Sequence, residues 1–189
     1  MRPAGADEAG RGSLFGPVYA AAVILNPDDP VEGLADSKTL TAMHRQRLAI
    51  EIRARAAAWM VAWVDAVEID RINIYQASRL AIRRAIEGLC PAPDYLLVDA
   101  LTIDLPLPQD AIIKGDAKVA SIAAASILAK TARDEWALRA DADYPGYGLA
   151  RHKGYPTPEH LEALSRLGPA PLHRRSYAPV MAALQGRLA

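Results

Sequence analysis

The chain has 189 residues, enough for one domain with a small appendage, and its 51% hydrophobic content supports a sizeable core and excludes a disordered chain. Lys and Arg together number 22, as do Asp and Glu, so the formal net charge is zero; a strongly basic body is excluded, and any nucleic acid must be held by local patches. The single cysteine, Cys90, excludes an internal disulfide framework and fits a reducing compartment; beside Pro91 it reads as core filler rather than a nucleophile.

In chain order, the segment before Asp7 reads as a strand that runs through a Gly10–Gly16 turn into "VYAAAVIL", residues 18–25, which is β-branched at both ends and bounded by Pro17 and Asn26-Pro27. "NPDDPVEGLADSKTL" reads as loop. From Thr41 as cap, "TAMHRQRLAIEIRARAAA" reads as a helix. "WMVAWVDAV" reads as a strand. "EIDRINIYQASRLAIRRAIEGL" carries apolar residues at 69, 72, 77, 80, 82 and 86, which predicts one helix closed by Gly88. "YLLVD", residues 95–99, and "AIIKGD", residues 111–116, are short apolar runs ending in an acid and read as strands, the second linked through a helix. "AKVASIAAASILAKTARDEWALRA" is a long helix whose alanines suit close packing. Gly and Pro punctuate the remainder, where Thr157-Pro158 starts a helix.

Neighbouring early strands can pair antiparallel, and later ones need crossovers. The expectation is a mixed sheet flanked by helices, an α/β domain over residues 1–143, with a small helical portion over 144–189 packed on it. No apolar run approaches the roughly 20 residues that span a bilayer. The N-terminus lacks a basic region followed by an apolar stretch and cleavage site. A cytoplasmic protein without a membrane partner is expected.

The chemistry lies in the acids. Asp7 and Glu8 are adjacent, so in a regular strand they point to opposite faces. They can share a site only at a strand end or a turn, which Gly10, Gly12 and Gly16 permit; otherwise they are surface acids at a strand–loop junction. Asp99 ends an apolar strand, where open α/β sheets place ligands, or is an ordinary turn residue. Asp116 precedes the long helix and could cap it, join the acids, or do both. Gathered at one sheet edge, Asp7, Glu8, Asp99 and Asp116 would form an oxygen-only cluster that needs cations. Such ligands suit Mg2+ or Mn2+, and two such ions about 3.5–4 Å apart clamp a phosphodiester. The chain carries no Walker loop, no Gly-x-Ser-x-Gly elbow and no His-Glu-x-x-His. One Cys and four scattered His do not make a zinc site.

With "GADEAGRGSLFGPVYAAAV", "ADSKTL", "YLLVDA", "IKGDAKVASIAAASILAKTARD" and "HKGYPTPEHLEAL…GPAPLHRRSY", the chain resembles the bacterial ribonuclease HII family of type 2 ribonucleases H, from about residue 4 to residue 184. The resemblance implies an RNase H-like mixed sheet. It also implies cleavage of the RNA strand of RNA–DNA hybrids, and incision on the 5′ side of single ribonucleotides in duplex DNA, leaving 5′-phosphomonoesters. The family's metal-binding carboxylates fall on Asp7, Glu8, Asp99 and Asp116, its Gly-Arg-Gly element on Gly10, Arg11 and Gly12, and its junction tyrosine on Tyr155. A monomer using two Mn2+ or Mg2+ ions is expected. Ser37 and Lys38, Lys130, "RHK" ending at Lys153 and "HRR" at 173–175 are candidate phosphate contacts; each could equally be a solvated surface residue, and Tyr155 a packed core tyrosine. Rival readings are a related nuclease acting on DNA and a non-catalytic hybrid-binding module.

Overall fold

The computed structural model describes residues 1–34, 37 and 40–186. Five strands, β1 (Pro3–Ala9), β2 (Val18–Ile24), β3 (Ala58–Val64), β4 (Tyr95–Asp99) and β5 (Gln109–Ile112), form one sheet in the order β3-β2-β1-β4-β5. β1 pairs antiparallel with β2, and β2 with β3; β4 runs parallel to β1, and β5 to β4. This is the mixed sheet flanked by helices that the sequence leads one to expect.

Two apolar layers hold it. Ala4, Ala6, Val18, Leu96 and Val98 face helix α3 (Ile74–Glu87) through Ala77, Ala81, Ile82 and Ala85. Ala21 and Val23 face α1 (Ala42–Arg55) and α4 (Ala120–Asp143) through Leu48, Ile52, Ala124, Ala125 and Leu128. The alanines of α4 allow its backbone to lie against the sheet. The closest approach is at Gly5, where an added Cβ would stand 2.1 Å from the Ser121 carbonyl carbon. Thr41 caps α1 by accepting the His44 N–H, and Thr157 caps α6 (Pro158–Leu167) by accepting that of His160.

Several expectations need correction. The helix predicted over 68–89 is two, α2 (Ala66–Ile72) and α3, separated at Asn73, whose φ is 68°. Asn73 accepts the Gln76 N–H and caps the second helix, so an unbroken apolar period hides a break. The third strand ends at Val64; the following Asp65 caps α2 instead of extending the strand. β5 starts at Gln109, two residues early, and residues 100–108 reach it without a helix. Leu101 and Ile103 are buried in that connection, and the Gln109 side chain braces it at both polar groups of Ile103, each bond 2.8 Å. Asp116 does not cap α4: it sits in a 3-10 turn (Gly115–Ala117), and the N-cap position is Val119. Cys90 is exposed, not core filler.

The C-terminal portion holds α5 (Leu149–His152), α6 and α7 (Ala178–Leu184). No helix among the described residues is long and apolar enough to cross a membrane.

Candidate active site

β1 and β4 end at the same edge of the sheet. Their parallel register runs from Pro3–Tyr95 to Ala6–Val98, so the next step carries Asp7 beside Asp99. Ala6 and Val98 pack toward α3, which turns Asp7 and Asp99 to the face covered by α4. Glu8 comes next, and the chain turns at once through Gly10, whose φ is 92°. A Cβ there would also lie 2.9 Å from Arg133 Nε. Gly10 is therefore required by the fold itself. At Gly12 an added Cβ would meet only the Tyr155 ring, at 3.7 Å, an ordinary contact.

A cleft of about 430 Å³ is lined by Asp7, Glu8, Asp99, the Gly10–Gly12 backbone, Ser37, Lys130 and Tyr155, together with Ser126. Ser126 and Lys130 stand one turn apart on α4 and present one face. Ser126 shares a 2.9 Å hydrogen bond with Ser37. Lys130 is paired with Asp134 at 2.7 Å and lies 5.5 Å from the centre of the Tyr155 ring. Tyr155 is half-buried, and its ring belongs to the cleft rather than to the core.

The acids are electrostatically crowded. Burial and the neighbouring Glu8 charge push the Asp7 carboxyl well above the usual range. Burial also raises Glu8, partly offset by Arg11, which donates to Glu8 Oε1 at 3.2 Å. Glu8 Oε2 is buried without a partner. Asp99 Oδ1 accepts the Gly115 N–H at 2.7 Å. Asp116, buried in the same turn, follows directly but does not line the cleft. The oxygen-only donors, their crowded charge and the orphaned Glu8 oxygen fit a hard divalent cation. No three Asp, Glu, His or Cys side chains among the described residues form a ready-made cage.

Other candidates fall elsewhere. Lys38 lies outside the described residues. Lys153 donates to the Ala150 carbonyl and lines a separate small cleft with Arg45 and Thr131. Arg151 pairs with Glu159. His173 and Arg174 are buried, so two of the three "HRR" residues are not phosphate contacts.

Two buried arginines, Arg133 and Arg174, brace the turn beside the cleft, a role that sequence reasoning missed. Arg133 Nη2 donates to Ser13 Oγ and to the Phe15 and Lys153 carbonyls at 2.7–2.9 Å. Burial and the nearby Arg174 charge lower its pKa to about 10. Arg174 donates to the Gly16 and Arg11 carbonyls at 2.8 and 2.9 Å. The Tyr177 hydroxyl also donates to the Arg11 carbonyl, at 2.5 Å.

A buried histidine chain backs Tyr155. The Ala170 N–H donates to His173 Nδ1, at 2.9 Å, so the His173 proton is on Nε2. That proton reaches His160 Nε2 across 3.2 Å, and His160 Nδ1 in turn donates to the Tyr155 carbonyl at 3.0 Å. Burial lowers both imidazoles to about 4, below the ordinary 6.5. The unfolded chain therefore takes up protons near pH 6.5 and the folded chain only near 4, so stability is lost as pH falls through that window. At pH 5 the pair is expected to cost about 2–4 kcal/mol relative to pH 7. Urea unfolding of the parent and of His173→Gln at both pH values checks this; an equal pH dependence in the two chains would clear the histidines.

The sequence profile described as Ribonuclease HII matches residues 4–180. A Ribonuclease HII of Laribacter hongkongensis is 59% identical over 95% of this chain and 92% of its own length. The crystal structure of ribonuclease H2 from Pyrococcus horikoshii superposes with a TM-score of 0.83, at 26% identity, covering 98% of both chains. An RNase HII from Archaeoglobus fulgidus, solved in complex with PCNA, superposes with a TM-score of 0.77 at 28% identity, covering 91% of each.

Proposed function

Because the chain belongs to the ribonuclease HII family, divalent-metal-dependent endonucleases that degrade the RNA strand of RNA–DNA hybrids, we propose that it also incises duplex DNA on the 5′ side of a single embedded ribonucleotide. The observation that carries this reading is the meeting, in one cleft, of the carboxylates of Asp7, Glu8 and Asp99 with the Gly10–Gly12 backbone and the Tyr155 ring. One group of residues can hold cations at a phosphate; the other offers backbone amides and a flat ring to a sugar. Scissile phosphate and 2′-hydroxyl lie within one nucleotide of each other, so both tasks must share a cleft.

Asp7, Glu8, Asp99 and Asp116 would hold two Mg2+ or Mn2+ ions, which when bound activate a water and stabilise the leaving oxygen. The chain's own groups do the rest. Backbone donors of Gly10–Gly12 bind the ribose 2′-hydroxyl, the group that separates RNA from DNA. Tyr155 presses on the sugar of the following nucleotide, where a second 2′-hydroxyl would disturb the contact. Lys130, together with Ser37, Lys38 and Lys153, is proposed to position the phosphate backbone, and the 144–189 segment contributes to binding the duplex. Hydrolysis leaves a 3′-hydroxyl on the preceding nucleotide and a 5′-phosphate on the ribonucleotide.

Cleavage of three matched duplexes tests the reading: all DNA, one ribonucleotide, and a run of four. The single-ribonucleotide duplex is expected to be cut at its 5′ side and the all-DNA duplex left intact. Cleavage of both at similar rates would make this a DNA nuclease, and binding without cleavage in Mg2+ or Mn2+ would make it a binding module. Tyr155→Ala should shift the preference between the last two substrates roughly tenfold, the effect of one contact worth about 1–1.5 kcal/mol. An unchanged ratio would leave Tyr155 with a packing role.

A further inference from the structure

The turn that lines the cleft has its carbonyls gathered inward. The Arg11 carbonyl receives Arg174 Nη1 at 2.9 Å and the Tyr177 hydroxyl at 2.5 Å. The Tyr177 hydroxyl itself accepts from Arg174 Nη1 at 2.9 Å, which commits its proton to Arg11. The Gly16 carbonyl receives Arg174 Nε at 2.8 Å. The Arg11–Gly12 peptide is trans, the only cis bond among the described residues being Cys90–Pro91. In a trans unit the C=O and the N–H point in opposite directions. With its oxygen fixed toward Arg174, the unit directs the Gly12 N–H away from the protein interior, and Gly12 is exposed on the cleft wall.

We propose that Arg174 and Tyr177 are positioning residues for ribose recognition: by holding the Arg11 carbonyl they aim the Gly12 amide at the 2′-hydroxyl. The inference rests on the reading above, in which the Gly10–Gly12 backbone binds that hydroxyl. Glycine at 12 leaves this peptide unit free to rotate, and no Cβ fixes it. Rotated by half a turn it would present a carbonyl to the cleft, an acceptor facing an anionic strand. Two donors converging on one oxygen remove that alternative. They lie in the C-terminal segment, and neither touches the cleft, so their action is indirect.

Tyr177→Phe deletes one of the two donors and keeps the ring; Arg174→Lys removes the paired geometry but also empties part of a buried site. The experiment uses the full chain and measures dissociation constants for a single-ribonucleotide duplex and the matched all-DNA duplex, in an Asp7→Asn background in which cleavage is expected to be slow. Melting temperatures are taken on the same preparations. Tyr177→Phe is expected to reduce the ratio of the two constants about three- to tenfold, leave all-DNA binding unchanged and leave the melting temperature close to the parent's. Arg174→Lys is expected to reduce the ratio further. If Tyr177→Phe leaves the ratio at the parent's value, or weakens both duplexes equally, the residues only anchor the tail and the proposal falls. If the parent background itself does not discriminate, and the Asp7-intact chain cuts both duplexes alike, the functional reading fails first.

Discussion

Asp7→Asn is expected to lower cleavage of a single-ribonucleotide duplex by roughly a thousandfold or more while raising the melting temperature of the metal-free protein. In the proposed mechanism Asp7 is one of the charges that hold the cations, whose charge stabilisation in the transition state is worth several kcal/mol, each 1.36 kcal/mol being tenfold. The stability gain has a separate cause. Asp7 is buried beside Glu8, and its ionised form is the one disfavoured by the fold. Its pKa is raised on folding, so the ionised group costs stability at neutral pH, a cost relieved as pH falls. Asparagine keeps the oxygen that accepts the Glu8 N–H at 2.7 Å and discards the charge. A gain of a few degrees corresponds to about 1–2 kcal/mol in a chain of this size. Turnover at saturating Mg2+ or Mn2+ and calorimetry in a chelator provide both numbers. Near-parental turnover would remove Asp7 from the mechanism, and a lower melting temperature would show that its charge is not crowded.

Gly5→Ala should be the most damaging conservative change in the sheet. The added methyl would stand 2.1 Å from the Ser121 carbonyl carbon and 2.3 Å from the Ile122 nitrogen. Both are backbone atoms of α4, so no side chain can rotate aside. Either α4 lifts from β1 or β1 bends, and the layer of alanines between them opens. The expected loss is about 3–5 kcal/mol, at the upper end for overpacking, or a fall in melting temperature of roughly 10 °C or more. Gly12→Ala is the control, since its methyl meets only the Tyr155 ring at 3.7 Å; its stability should stay within about 1 kcal/mol of the parent. Urea melts of the two variants side by side decide the matter. Equal stabilities would mean that α4 rides on the sheet loosely enough to move.

The strands, the long helix and the caps were legible because their signals are local. β-branched runs between Pro and Asn-Pro, Thr41 before α1, and Thr157-Pro158 before α6 each act within one turn or one strand. The failures have physical reasons too. Asn73 breaks a helix whose apolar period continues unbroken on both sides. Asp116 has a capping residue's composition, yet it sits within a 3-10 turn and Val119 holds the N-cap position of α4. Asp7, Glu8 and Asp99 could be nominated as a group from their positions at strand ends, and the β1–β4 register puts the two aspartates side by side. His173 and Arg174 looked like surface charge because residue type alone argues for exposure. Their partners, the carbonyls of Arg11 and Gly16 and the ring of His160, lie 163, 158 and 13 residues away. No local pattern carries that information.

The stitching of Arg174 and Tyr177 onto the Gly10–Gly16 turn also ties the two ends of the chain together. The sheet edge that bears Asp7 and Asp99 can form once β4 has paired with β1. The turn beside it closes only on contacts spanning 158–166 residues, among the longest loops the chain can make. On a ribosome adding about 5–20 residues per second, the residues that close the turn are synthesised seconds after those of β4. Each such contact closes a long loop, whose entropic cost grows only slowly with its length. The wall of the cleft therefore depends on the C-terminal segment, and the turn is complete only when the chain's two ends have met.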